Sequence, residues 1–286
     1  MNRVGPIASS RRASNYDAAM GENLSRKDSA SRRPIYVEVG IRAPIERVWK
    51  LSQDPALHPR WDLRFSRIIP TERNDQRLLH FRYEFRLPFY VIQGTGTSLG
   101  HRYRSDGQAT SVLKFDTADP VSPIGQGSGY WRYIPTEDGL RFITGYNYQP
   151  GMGSLGKALD SWVFRPALGW ATSISFDRLR LWAESDLDPK DSRNRWFIDA
   201  TARAGGLLTA CILLRRAATG RTPGPAALGL TAAVGSWIIP VHWTVPRAGR
   251  CLRRPPDSRS GSAPSTLAGL GESASPVSQP STQGQE

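Results

Sequence analysis

Residues able to move protons or hold a guest are sparse in this chain, and their spacing is informative. Two carboxylates fall beside apolar stretches: Asp62, in Trp61-Asp62-Leu63-Arg64, and Asp177, in Ser175-Phe176-Asp177-Arg178. A carboxylate at the edge of an apolar space can serve as a general acid or base once its surroundings tune its pKa. Each also has an ordinary reading: Asp62 accepts backbone N–H groups or pairs with Arg64 at a helix-to-strand turn, and Asp177 pairs on the helix surface with Arg180 or with a strand arginine. The ordinary reading is the stronger one for both. The four histidines, His58, His80, His101 and His242, stand far apart. No Ser/His/Asp arrangement and no metal spacing follows from them, and neither Cys211 nor Cys251 has ligand neighbours. No metal and no cofactor is expected. Gly94-x-Gly96 and Gly125-x-Gly127-x-Gly129 lie in strand and turn contexts and open no helix, so they are not phosphate loops.

A second group of residues suits binding rather than proton transfer. Leu79, Phe81, Tyr83, Phe85 and Leu87 alternate with His80, Arg82, Glu84 and Arg86, the period of a strand with one apolar and one wet face. Leu140, Phe142, Thr144, Tyr146 and Tyr148 share one face of a later strand. Between Ser154 and Glu184, Leu155, Leu159, Trp162, Val163, Pro166, Trp170 and Ile174 recur at helical spacing, with a kink expected at Pro166. Facing inward together, such groups either fill a core or line a ligand cavity in which a few hydroxyls orient the guest. The candidate lining set is Phe81, Tyr83, Phe85, Phe142, Thr144, Tyr146, Tyr148, Trp162, Trp170 and Ser173, with Trp61 at the cavity mouth. Tyr83, Thr144, Tyr146, Tyr148 and Ser173 supply its polar contacts.

The elements that must position these groups follow in order. Ile35–Ile41 alternates as a strand, and Ala43-Pro44 starts a helix burying Ile45, Val48, Trp49 and Leu51. A second short helix ends near Trp61-Asp62, and the chain then turns to strand at 63–68. Further strands are expected at about 79–87, 89–99, 109–116, 127–134 and 140–148, with Glu137-Asp138-Gly139 as a hairpin turn. The long helix is the element able to cover the resulting sheet. The fold class is therefore α+β, a curved antiparallel sheet gripping a long C-terminal helix.

Residues 35–64, with Ala43-Pro44, Val48-Trp49 and Trp61-Asp62, resemble the opening of the START-like SRPBCC superfamily of polyketide cyclases, dehydrases and lipid-transport domains. Gly129-Tyr130-Trp131-Arg132-Tyr133-Ile134-Pro135, Tyr146-Asn147-Tyr148 and the run from Phe164-Arg165-Pro166 to Leu181-Trp182 are similar to a bacterial branch with a hydrophobic C-terminal extension. The resemblance covers about half of the chain. It implies a helix-grip fold with a deep cavity and says little about chemistry, because that scaffold hosts binders and enzymes alike.

Charge separates the rest of the chain. The net charge is +13, of which residues 189–254 carry +9 and residues 35–188 only +2. The excess lies around apolar runs near the C-terminus, which fits anionic lipid better than nucleic acid. Gly224–Val245 holds no formal charge and is long enough to cross a bilayer, while Trp196–Leu214 carries Asp199 and Arg203 at a pairing distance of four. The two runs form either a transmembrane hairpin or helices lying at the interface, the hairpin being favoured. Arg247, Arg250, Arg253 and Arg254 place both hairpin ends, and the START-like domain, on the cytoplasmic side of the cell membrane. Arg215, Arg216 and Arg221 in the connecting loop count against that loop lying outside. The expected organisation is a disordered basic segment at 1–33, a ligand-binding domain at 34–188, the hairpin at 192–254 and a disordered tail at 255–286. The expected partners are a hydrophobic small molecule and membrane lipids, with no nucleic acid. The expected function is carriage of that lipid-like or polyketide-like molecule, the alternative a polyketide cyclase or dehydratase.

Overall fold

A computed structural model of the chain describes residues 33–73, 79–220, 223–264 and 267. Most of the basic lead-in and residues 268–286 of the expected tail lie outside the described residues. Strand β1 (Ile35–Ile41) is followed by helices α1 (Ile45–Gln53) and α2 (His58–Trp61). Six strands follow: β2 (Arg67–Arg73), β3 (Leu79–Leu87), β4 (Tyr90–Tyr103), β5 (Ala109–Asp116), β6 (Ile124–Thr136) and β7 (Gly139–Pro150). They form one seven-stranded antiparallel sheet in the order β1-β7-β6-β5-β4-β3-β2. Sequential hairpins build it from β2 to β7, and β1 adds to the free edge of β7. The strand expected at residue 63 begins only at Arg67, because Asp62 holds the intervening turn through the Arg64 N–H at 3.0 Å.

The long helix packs against β1 and is interrupted. Helix α3 (Gly153–Leu159) leads into a π turn over Asp160–Phe164 and then into α4 (Arg165–Ser185). The Arg165 N–H bonds the Asp160 carbonyl five residues back. Pro166, which has no N–H to offer, comes next, so the backbone widens rather than continuing its α pattern. The kink expected at Pro166 is thus a π turn just before it.

The core lies between the inner sheet face and α4. Val37, Val39 and Ile41 of β1, Tyr133, Phe142, Phe176, Leu179 and Trp61 are its buried members. Phe142 stacks on Phe176 with ring centroids 4.6 Å apart. Each such side chain contributes roughly 1.5–3 kcal/mol by leaving water. On the outer face a smaller cluster gathers Tyr36, Val112, Tyr130 and Ile143. Glu84, expected on the wet face of β3, is buried there and accepts from Arg82 at 3.3 Å.

Helices α5 (Pro189–Gly220) and α6 (Pro223–Ile238) pack together as a hairpin. Helix α6 stops before Pro240, well short of the uncharged run's end at Val245, because proline cannot extend the bond pattern. The longer element is therefore α5, which among the described residues is the one helix long and apolar enough to cross a membrane. Asp199 and Arg203 pair at 2.9 Å as their spacing implied. The Arg203 guanidinium also donates to the carbonyls of Ser236 and Ile239, both at 2.8 Å, capping the end of α6.

After the hairpin the chain returns to the domain. Glu38 of β1 and Leu252 exchange two backbone hydrogen bonds of 2.9 Å. Helix α7 (Ser258–Gly261) is capped by Asp257 and bonded by Arg141 to Ser260 Oγ at 2.6 Å. The start of the expected disordered tail is thus packed on the sheet's outer face.

Candidate ligand cavity

The cavity grows out of an aromatic-over-glycine arrangement. On β4, a Cβ at Gly96 would sit 2.2 Å from the Phe81 ring, and one at Gly94 would sit 2.3 Å from the Tyr83 ring. Phe115 of β5 lies over Gly127 of β6 in the same way. A glycine on the neighbouring strand lets each ring lie flat on the sheet instead of standing into the interior. What remains between the sheet, α1, α2 and α4 is a cavity of about 320 Å³. Its wall includes Leu63, Phe65, Ile68, Leu79, Phe81, Tyr83, Phe85, Ile92, Leu113, Phe115, Trp131, Leu168 and Ala171.

The wall is apolar in chemistry because most of its polar atoms are engaged with protein. Ser52 Oγ bonds the Val48 carbonyl and the Tyr133 hydroxyl, each at 2.7 Å. Thr144 Oγ1 donates to the Tyr130 carbonyl at 3.0 Å, and the Tyr146 hydroxyl meets Thr172 Oγ1 at 2.9 Å. Burial raises the Tyr146 pKa, against an opposing pull from Arg64. Tyr83 is pushed up to about 12, by burial first and by Asp116 second. Both phenols are neutral at physiological pH.

One polar cluster borders this wall. Arg64 grips Asp62 with two parallel hydrogen bonds, Nε to Oδ1 at 2.9 Å and Nη2 to Oδ2 at 2.7 Å, and His58 Nε2 lies 3.0 Å from Oδ2. Arg64 and His58 line the cavity; Asp62 is fully buried behind them. The Arg64 guanidinium carbon lies 5.3 Å from the Tyr146 ring centroid. Burial alone would raise the Asp62 pKa, but Arg64 and His58 outweigh it and hold the carboxyl well below the usual range. Burial lowers the His58 pKa despite Asp62, so its imidazole is neutral at pH 7.

The residues singled out from sequence divide. Phe81, Tyr83, Phe85, Thr144 and Tyr146 line the cavity. Trp61 does not form a mouth: it is fully buried, and its indole N–H donates to the Leu51 carbonyl at 2.9 Å. Phe142 belongs to the solid core against Phe176. The Tyr148 hydroxyl donates to Asp160 at 2.6 Å at the end of β7, away from the wall. Trp162 is 69% exposed, turned outward by the π turn. Trp170 packs edge-on against Trp196 of α5, with centroids 6.1 Å apart. Ser173 is buried and bonded to the Gly169 carbonyl at 2.8 Å. Asp177 is not at the cavity either. It accepts from Arg180 Nε at 2.7 Å, Arg250 Nη1 at 2.8 Å and the Arg247 N–H at 2.7 Å, which clamps the returning chain to α4.

His58 and Arg64 are cavity residues that sequence reasoning did not select. The available signal was the spacing of four between His58 and Asp62, which aligns the pair on one helical turn. Among the described residues no group of His, Cys, Asp and Glu is arranged to hold a metal ion.

No family model matches the chain. A relative in Bacillus subtilis (strain 168), the uncharacterized membrane protein YndG, is 42% identical over 161 residues, covering 56% of this chain. The match spans 60% of that relative's length, less than two thirds of it. Among solved structures, the di-domain aromatase/cyclase StfQ of the steffimycin biosynthetic pathway superposes with a TM-score of 0.41 at 12% identity, covering 63% of this chain and 61% of that one. The Zhui aromatase/cyclase from Streptomyces sp. R1128 gives 0.40 at 11% identity, covering 54% and 97%. Likeness at that level transfers neither a reaction nor a ligand. The α+β helix-grip architecture stands on this chain's own sheet and helix.

Proposed function

We propose that the protein binds and carries an apolar small molecule, lipid-like or polyketide-like, in this cavity while anchored to the membrane by α5 and α6. The observation that carries the reading is the wall: apolar side chains around about 320 Å³, with most hydroxyls already bonded to protein. That space equals roughly ten water volumes at ~30 Å³ each, and it sits at the lower end of ligand sites, about 300–1,000 Å³. Left dry, a void of this size would forfeit on the order of 8 kcal/mol of packing at ~24 cal/mol per Å³. Water is a poor filling for apolar walls, so an apolar guest is favoured. The Arg64 guanidinium forms the polar end of the wall and suits a carbonyl or carboxylate oxygen on that guest.

Membrane anchoring is supported by the length of α5, by the relative named as a membrane protein and by the excess positive charge of residues 189–254. Both hairpin ends return to the domain, at Pro189 against Arg178 and at Arg247 against Asp177, so they lie on one side of the bilayer. The arginines of the returning segment favour the cytoplasmic side. Solvent extraction of full-length protein, followed by mass spectrometry, tests the carrier reading. A small apolar molecule is expected from the wild type and not from Ala171→Trp, which fills the cavity from α4. Equal recovery from both would refute it.

A second reading, a cyclase or dehydratase acting on a polyketide-like substrate, is favoured by one observation. A neutral imidazole, His58, borders the cavity with Asp62 fixing its orientation. Asp62 is sealed off from any guest, so in this reading it positions His58 rather than touching substrate. Turnover lost in His58→Asn with ligand retention intact would support the enzyme; unchanged turnover would remove it.

A further inference from the structure

The anchored domain has a second feature that the hairpin alone does not explain. Most of its exposed large apolar side chains lie at one end, with Tyr103 beside the β4–β5 turn at the other. Phe89, in the β3–β4 turn, is fully exposed, and Val121, Leu155, Trp162 and Val163 are each more than a third exposed. These positions belong to one rim. The Tyr90 hydroxyl beside Phe89 bonds Asp119, two residues before Val121, at 3.2 Å. Gly151 donates to the Pro123 carbonyl at 3.0 Å, which ties the β5–β6 loop to the start of α3 and the π turn.

The path of α5 leads to the same end. Helix α4 runs away from the rim, since Glu184 near its C-terminus accepts from the Arg42 N–H at the opposite end of the sheet. Helix α5 then doubles back. Arg178 bonds the Pro189 carbonyl at 3.0 Å, and seven residues later Trp196 meets Trp170, eight residues back along α4. At 1.5 Å per residue, α5 draws level with the start of α4 near Arg203 and projects about 26 Å beyond it to Gly220. Arg203, capping α6 at Ser236 and Ile239, marks the base of the projecting hairpin. The described chain begins at the same end, where Arg165 Nη1 donates to the Arg33 carbonyl at 3.0 Å. Lys157 of α3 is exposed there as well.

From this convergence we infer that the rim built by Phe89, Val121, Leu155, Trp162 and Val163 is a bilayer-contact surface, seated in the lipid headgroup region beside the hairpin. Aromatic side chains with positive charge close by are the residue types that favour that region. The same loop continues into the cavity wall through Ser122, Pro123 and Ile124, so guest exchange with the bilayer is directed to this end. The inference rests on the anchoring reading above, and its test separates the two.

Phe89 is replaced by cysteine (Phe89→Cys) in full-length protein carrying Cys211→Ser and labelled with an environment-sensitive nitrobenzoxadiazole probe. Cys251 stays, because burial pushes its thiol up to about 12 and keeps it unreactive. Phe89 makes no buried contact, so the fold tolerates the change. The control label is at Asp138→Cys, exposed in the β6–β7 turn at the opposite end. Reconstitution into phosphatidylcholine–phosphatidylglycerol vesicles is expected to shift the label at residue 89 to shorter wavelength. Lipids spin-labelled near the headgroup should quench it several-fold more than the label at residue 138. Vesicle flotation with a solvent-like, unquenched label at residue 89 would overturn the docking while leaving the anchor in place. Failure to float would remove the anchor and the inference with it. Shielding that persists in detergent and grows with protein concentration would assign the rim to a second copy of the chain and refute the lipid contact.

Discussion

Substituting Gly96 tests whether the flat rings are what hold the cavity open. In Gly96→Ala the new Cβ would lie 2.2 Å from Phe81 Cζ and 2.4 Å from Cε2, and its three nearest neighbours are all atoms of that ring. Carbon atoms settle at about 3.5–4.0 Å, so the ring has to retreat by roughly 1.5 Å. Strand β4 cannot give way, because Gly96 is paired with Phe81 on β3 and Phe115 on β5. The ring therefore moves inward, taking on the order of one to two water volumes, ~30 Å³ each, from the cavity. Overpacking of this kind costs about 1–3 kcal/mol. Urea unfolding of Gly96→Ala should show that loss, and ligand retention should fall. The double variant Gly96→Ala/Phe81→Leu should recover part of both, since the smaller side chain relieves the same collision. A double-mutant cycle with no coupling, or a neutral Gly96→Ala, would refute the reasoning.

Two further outcomes are expected. Asp177→Ala should destabilise by about 2–4 kcal/mol, below the upper range for breaking a buried ion pair because Arg180 and Arg250 can rehydrate. It should also open residues 247–254 to limited proteolysis without abolishing ligand retention; a catalytic Asp177 would give the reverse pattern. Thermal stability should fall in two acid steps. Below about pH 6.5 the unfolded chain takes up a proton that neutral His58 refuses, and below about 3.8 it protonates the carboxylate that folded Asp62 keeps ionised. Melting curves of His58→Gln should lose the first step and keep the second.

Much of the fold is written in local periodicity. The alternation Leu79–Leu87 faithfully separates a cavity wall from an outer face, and Phe81, Tyr83 and Phe85 follow from it. The same rule on β7 finds the right face but not the void: Phe142 and Tyr148 share the face of Thr144 and Tyr146, yet meet Phe176 and Asp160. Which part of a face remains uncovered is set by tertiary packing, which period-two patterning does not encode. On the long helix, one extra residue in the π turn advances the helical phase by about 100°. A stripe drawn straight across it mis-aims both Trp162 and Trp170. The arginine-flanked runs were legible as a hairpin, but Pro240 shortens the second, and the return of the chain onto β1 depends on Asp177 and Glu38, which lie far away in sequence.

Native mass spectrometry of the full-length protein released from detergent addresses the central claim, that the grip encloses room for one apolar guest. The account predicts a population heavier by a single small molecule, present in the wild type, restored after delipidation by a long-chain fatty acid or an aromatic polyketide, and absent in Ala171→Trp. A lone ligand-free mass, unchanged after incubation with either class, would contradict it.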